Sequence, residues 1–473
     1  MDNLLVGLSS IIAIGVVIFM LLKNMDIKFT LLFAGMGLMY LALGIGNTIQ
    51  FKGFESTGAF LLDPIMVIPE QFVSTLSRAG IIILILGGYA KYMQHIKASD
   101  VTVYMLTKPL AKIKTPYKLI PFVFLIGNFL SLVIPSASNL AIILLATLYP
   151  VLRQAGMSSL TAAALIATSA TVVPTPLGGD NVAITQELAH TAEFAGLTVS
   201  EYVFEYHALV SIPTLIFMAI LHVFWQRYMD SKGVAESGES TADTGVSEEK
   251  YHVTGSSLYK ICYSILPLLP IVILFATYTL NIFDIADVQV SVGLSAFTSL
   301  FIAVIFELIR TRDFKETLNN TNSFFIGMGN AMSVVALLVS ASIFVVGLKS
   351  IGLISELQSY MQSVDSSGFT LPLTLLLFTA LITILSGSGL ALFYAMVPLM
   401  VPLAMAADIS PLAVTLPMGM GGNLLRACSP VAAVIIIIAG VTKHNPMDIV
   451  KRTAVPSVGA TIFMFLLSMY IYI

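Results

Sequence analysis

Four short clusters of small polar residues interrupt the apolar runs of this chain, and their side chains share one chemistry. The first is Pro135-Ser136-Ala137-Ser138-Asn139, inside "LVIPSASNLAIILL" (132–145). The second is Ser386-Gly387-Ser388-Gly389. The third, "TVVPTPLGGDN" (171–181), carries Thr175, Gly178 and Asp180. The fourth, "GMGGNLLRACSP" (419–430), carries Asn423, Arg426, Ser429 and Pro430. Hydroxyls, amides and one guanidinium hold an anion without bonding to it covalently. No nucleophile–base–acid order, His/Glu metal spacing or phosphate loop accompanies them. The residues therefore describe binding, and an enzyme is not the expected class.

Composition says where these clusters lie. Of 473 residues 57% are hydrophobic and only 10% charged, against about 25% charged in soluble domains. Apolar runs of membrane length recur at 3–22, 28–46, 79–96, 203–228, 258–280, 287–309, 324–348 and 454–473. Alternating strand-length segments of a barrel are absent. The start, "MDNLLVGLSS", has no basic region and reads as a retained first span. Cys262 and Cys428 have no paired spacing. No basic, aromatic-laced patch suggests nucleic acid.

A polar segment at 229–256, rich in Gly, Ser, Glu and Asp, divides the chain near its midpoint. Each half orders its features alike. Ser136 answers Ser386, Ser159 answers Ser410, and both halves then reach a Gly/Pro-rich break. Lys91, Lys97, Lys108, Lys112, Lys114 and Lys118 mark 91–118 as cytoplasmic, which leaves loop 47–78 and the N-terminus outside. Arg310, Arg312 and Lys315, then Lys443, Lys451 and Arg452, put the corresponding segments of the second half on the opposite side. The expected fold is an all-α polytopic membrane protein of two inverted-topology repeats. It has about ten transmembrane helices plus two re-entrant hairpins, and both termini lie outside.

Non-helical backbone survives at membrane depth only where protein or a water-filled cavity satisfies it. Interrupted helices in inverted repeats are the signature of secondary transporters. On this reading Pro135–Asn139 is a hairpin tip entering from the cytoplasm, with Ser138 or Asn139 capping the return helix. Residues 386–389 are the matching tip from outside. Residues 171–181 and 419–430 are unwound middles of spanning helices, with Ser429–Pro430 as N-cap and N1 proline. Converging helix N-termini attract anions, and two half-sites suit a substrate with two anionic ends. Other readings stay open. "SGSG" also suits close helix packing, and Pro135 a simple kink. Asp180 caps a helix from Asn181 or holds a proton or cation. Arg426 binds substrate or pairs with a structural carboxylate. Glu307 with Arg310 and Arg312 reads as a snorkelling span end, and His207 as a titrating group or a hydrogen-bonded structural histidine.

"YAKYMQHIKASDVTVYMLTKPL" (89–110), "HVFWQRYMD" (222–230), "SGSGLALFYA" (386–395), "SPVAAV" (429–434) and "DIVKRTAVP" (448–456) resemble the DcuC family of bacterial anaerobic four-carbon dicarboxylate transporters, part of a larger ion-transporter superfamily. The resemblance implies a homodimer in the bacterial cytoplasmic (inner) membrane. Residues 1–116 and 257–368 would form a scaffold, and 117–228 and 369–473 a transport domain that moves in an elevator-type alternating-access mechanism. It implies succinate, fumarate or malate as substrate, moved by exchange or by cation-coupled efflux or uptake. The implied substrate-binding positions are Ser136, Ser138, Asn139, Thr175, Ser386, Gly387, Ser388, Gly389, Asn423, Arg426, Ser429 and Pro430. Asp180, Asn139 and Gly178 are the coupling-ion candidates, for Na⁺ or H⁺, and no cofactor is expected. The alternative is another small organic anion, or a cation antiporter on the same fold.

Overall fold

The computed structural model describes residues 12, 15–16, 19–20, 25–51, 53–113, 115–232, 255–286, 288–353 and 368–473. The expected first span at 3–22 therefore lies almost wholly outside the described residues. So do most of the midpoint segment and of 349–368.

Among the described residues eight helical stretches are long and apolar enough to cross a membrane. They are Ile27–Gly44, Asp63–His95, Val199–Ser231, Ser257–Ile282, Val292–Thr311, Phe314–Ser350, Pro411–Thr442 and Pro446–Tyr472. Four shorter apolar helices, Pro116–Leu130, Ala137–Thr147, Thr370–Ser386 and Leu392–Ala406, form two helix–turn–helix pairs. At 1.5 Å per residue, Pro116–Leu130 is roughly 22 Å long, short of the ~30 Å hydrocarbon core.

Two expectations change. Loop 47–78 is helical from Asp63 onward. Asp63 begins that helix with Pro64 behind it and fixes the preceding turn, accepting from Thr57 N (2.7 Å) and Ser56 Oγ (2.7 Å). The helix then kinks through a π-turn at Leu76–Gly80, where Arg78 leaves helical geometry (φ −110°, ψ −108°). Glu307 does not snorkel. It is buried, and Arg310 closes on it at 2.7 Å while Tyr263 donates to its other oxygen.

The long helix Asn322–Ser350 packs along both Ile27–Gly44 and Ile81–His95. Small residues permit the closeness. A Cβ on Gly35 would sit 2.7 Å from the Phe344 Cα, and one on Gly347 2.6 Å from the Gly35 carbonyl. A second group of contacts joins Ala208–Ser231, Pro446–Tyr472, Pro411–Leu425 and the two short-helix pairs.

Candidate functional site

The first pair turns at 131–136. Ser136 has extended backbone (φ −90°, ψ 114°), and its Oγ accepts from Asn139 N at 3.4 Å. Ser136 is therefore the cap, in place of Ser138 or Asn139. Those two residues sit in the first turn, with their side chains left for the cavity beside it. The neighbouring break, Thr168–Gly178, is held by Asn128, which is buried on the first arm. Its Nδ2 donates to the carbonyls of Phe124 and Thr168 (both 3.0 Å), and its Oδ1 accepts from Thr171 N (2.9 Å) and Thr171 Oγ1 (2.7 Å). One amide thus satisfies two backbone groups, the Thr168 carbonyl and the Thr171 N–H, that an interrupted helix leaves open. Asn128 was not foreseen. A single Asn inside "LIGNFL" was the available signal.

The helix resumes at Gly179, with Gly178 as an N-cap lacking any side-chain bond. Asp180 lies in this first turn and is not the N-cap of a helix from Asn181, because the helix starts two residues earlier. Its Oδ1 accepts from Asn181 N (3.0 Å), and its Oδ2 from Asn423 Nδ2 (3.2 Å), which joins the two halves of the chain. Asn181 Nδ2 donates to the Thr175 carbonyl (2.9 Å), and Thr175 Oγ1 accepts from Leu177 N (3.1 Å).

The second tip is tighter. Ser386 Oγ donates to the Ile382 carbonyl (2.7 Å) and accepts from Ser388 N (3.2 Å). Gly387 is left-handed (φ +73°), and a Cβ there would fall 2.8 Å from the Ala432 backbone. Gly389 opens the return helix with its Cα against Gly422, where an added Cβ would lie 2.5 Å from the Gly422 carbonyl oxygen. The lattice of backbone on both sides has no side chain to move away, so Gly389→Ala is expected to spring the tip off helix Pro411–Leu425. Initial transport rates should fall about tenfold or more, by analogy with the cost of overpacking, while protein level in the membrane is largely kept. Wild-type rates from G389A in a vesicle assay would contradict this.

The second break lies later than expected. Residues 419–425 are helical, followed by a tight turn at Arg426–Cys428, an extended Ser429 and a second turn at 430–431 that ends at Ala432, the N-cap of helix Ala433–Thr442. Ser429 is therefore not an N-cap. Its hydroxyl is buried without a partner. The glycines of 419–422 serve packing, against Ile184, Leu376 and Gly389, and do not unwind the helix.

All four interruptions border one cavity of about 650 Å³. Ser136, Ser138, Asn139, Thr175, Gly178, Asp180, Gly387, Ser388, Gly389, Asn423 and Arg426 line it, whereas Ser386, Ser429 and Pro430 do not. His207 also lines it, and its Nδ1 is buried without a partner, unlike His222, which bonds Thr168 Oγ1 at 3.1 Å. The first turns of four helices, beginning at Ala137, Gly179, Gly389 and Ala433, face this space. Three of them, after Gly178, Ser388 and Ala432, have no side-chain cap, so the positive ends of their dipoles open into the cavity. The Arg426 guanidinium donates to the Ala170 carbonyl in the first break, and among the described residues no carboxylate lies within ion-pair distance of it. No group of three metal-ligating side chains occurs among the described residues. The cavity is equipped to hold a negatively charged molecule.

A multi-pass membrane protein with interrupted helices around a central anion-friendly cavity is a carrier, and known proteins agree on the class. The fold matches that of the antimetabolite efflux pump MtrF of Neisseria gonorrhoeae, with a TM-score of 0.64, 14% identity, and 94% of this chain and 95% of that one covered. It also matches the YdaH transporter of Alcanivorax borkumensis, with a TM-score of 0.61, 14% identity, and 94% and 98% covered. In sequence the chain is 32% identical to the anaerobic C4-dicarboxylate transporter DcuC of Escherichia coli K12, over 96% of this chain and 93% of that one. It is 33% identical to a probable DcuC of Vibrio cholerae, over 96% and 95%. The chain belongs to the DcuC family, described as C4-dicarboxylate anaerobic carriers, whose profile matches residues 5–472. It is a transport protein and not an enzyme.

Proposed function

We propose that this protein is a secondary carrier of four-carbon dicarboxylates, such as succinate, fumarate and malate, in the bacterial cytoplasmic membrane. One observation carries the reading. Four helix N-termini, two from each half of the chain, and the Arg426 guanidinium surround one cavity. A dianion is costly to desolvate. Oriented amides and an unpaired guanidinium offset that cost without further reorganisation. The names of the sequence relatives supply the substrate class.

The two short-helix pairs are re-entrant hairpins of two inverted repeats in this reading. Helices Ile27–Gly44, Ile81–His95 and Asn322–Ser350 belong to a static scaffold that also makes a homodimer contact, and the tips and breaks belong to a transport domain that slides past it. Asp180, with the Gly178 backbone beside it and Asn139 on the same cavity, is the place for a coupling Na⁺ or H⁺. An empty site carrying Arg426 and Asp180 crosses lipid poorly, which favours exchange over net flux. The test uses proteoliposomes preloaded with succinate, fumarate, malate, aspartate or citrate, with and without Na⁺ and pH gradients. Labelled succinate should enter rapidly only against an internal C4 dicarboxylate. Uptake indifferent to internal substrate would remove exchange, and exchange restricted to citrate or an amino acid would remove the substrate class.

A further inference from the structure

The cavity has two unlike walls. The wall made by tips and breaks mixes apolar residues such as Val172 and Leu177 with Ser138, Asn139, Asp180 and Arg426. The opposite wall, from helices Ile81–His95 and Asn322–Ser350, is mostly apolar, with Ile83, Leu86, Ala90, Ala331 and Val334. Its charged and amide side chains are Lys91, Gln94 and Asn330. Lys91 and Gln94 are three residues apart and share a helix face. Across from them, a Cβ built on Gly327 would touch the Lys91 Cβ at 2.5 Å, and Asn330 stands one turn further along that helix. Lys91 is exposed, and among the described residues no carboxylate pairs with it.

Position separates Lys91 from the central site. Ile83 lies against Gly179 at the first break, where an added Cβ would be 3.6 Å from Ile83 Cγ1. Lys91 is eight residues further along the same helix, roughly 12 Å away at 1.5 Å per residue. We infer that Lys91, flanked by Gln94 and Asn330, forms an entrance subsite for carboxylate dianions at the cytoplasmic mouth of the cavity. The inference rests on the carrier reading above. An exposed cation at the mouth of a low-dielectric cleft raises the local concentration of a dianion and speeds its arrival. Lys91 is carried on the helix that packs against Asn322–Ser350, while Arg426 is carried on the tip-and-break side. In a carrier whose tip-and-break side slides, the two meet the same substrate only when the cavity faces the cytoplasm.

The expected signature is one-sided. In inside-out vesicles, Lys91→Gln should raise the KM for succinate about three- to tenfold, the loss of one exposed attraction to a dianion. The saturating rate should hold, and the KM should lose most of its salt dependence. In right-side-out vesicles the KM should not move. Lys91→Arg should restore the wild-type KM on the inner side. A KM raised equally from both sides, a fall in saturating rate alone, or an unchanged inner KM overturns the entrance subsite. If the wild type carries no dicarboxylate at all, the carrier reading fails and takes this inference with it. Wild-type transport with an unaltered K91Q variant overturns this inference alone.

Discussion

Arg426→Ala should cripple dicarboxylate exchange, lowering the rate about thirtyfold or more. The guanidinium is the one cation that the tips and breaks bring to the cavity, and it already bridges the halves by donating to Ala170 in the opposite break. Truncating one partner of a desolvated, hydrogen-bonded charge pair costs about 2–5 kcal/mol, and about 1.4 kcal/mol is tenfold. The Ala170 carbonyl uses one edge of the guanidinium and leaves N–H groups for a carboxylate. Arg426→Lys keeps the charge but loses the fork that matches a carboxylate, so it should recover only a minor part of the rate. The loss belongs to binding if succinate raises the melting temperature of the wild type in detergent and leaves R426A unmoved. Dicarboxylate exchange by R426A at the wild-type rate would show that the anion is held by helix N-termini alone.

The sequence made the existence of the interruptions legible but not all of their positions. Pro135, Ser136 and Asn139 in an apolar run announce a tip because no lipid-facing helix gains from them. "SGSG" does the same, although Gly and Ser equally announce packing. Both roles are present: Gly387 turns the chain, and Gly389 touches Gly422. That ambiguity explains the misplaced second break. Three glycines at 419–422 looked like unwinding, yet the helix runs through them because each removes a Cβ from a crowded contact. The chain opens only after Cys428. Asn128 and the partner of Arg452 were out of reach for another reason. Their bonds cross 40 and more than 200 residues of sequence, and residue type alone does not say which distant group a lone polar side chain meets. Arg452 read naturally as a charge marking the cytoplasmic side. Its neighbour Lys451 is exposed in that way, while Arg452 points inward.

That inward arginine carries the second large effect. Arg452→Ala should destabilise the folded protein by about 3–5 kcal/mol, the cost of stranding one partner of a buried pair. The Arg452 side chain is only 3% exposed and Asp230 14%, and they meet at 2.5 Å. Ser158 Oγ (2.9 Å) and Thr161 Oγ1 (3.2 Å) donate to the same carboxylate, and Gln226 Nε2 donates to the Arg452 carbonyl at 2.8 Å. The pair therefore pins helix Pro446–Tyr472 of the second half to helices Ala208–Ser231 and Ser159–Ala167 of the first. Asp230→Asn keeps an acceptor for Ser158 and Thr161, so it should cost clearly less than Arg452→Ala. In a double-mutant cycle the two losses should fall well short of adding, because either truncation already breaks the pair. The chain reports on this region itself. Its single tryptophan, Trp225, donates Nε1 to the Lys451 carbonyl at 3.0 Å. Fluorescence-monitored melting in detergent should show the R452A transition shifted down, with Trp225 emission moved to the red in the folded baseline. If R452A melts with wild-type Trp225 emission at the wild-type temperature, this pair does not hold the two halves together. The two halves would then need another clasp.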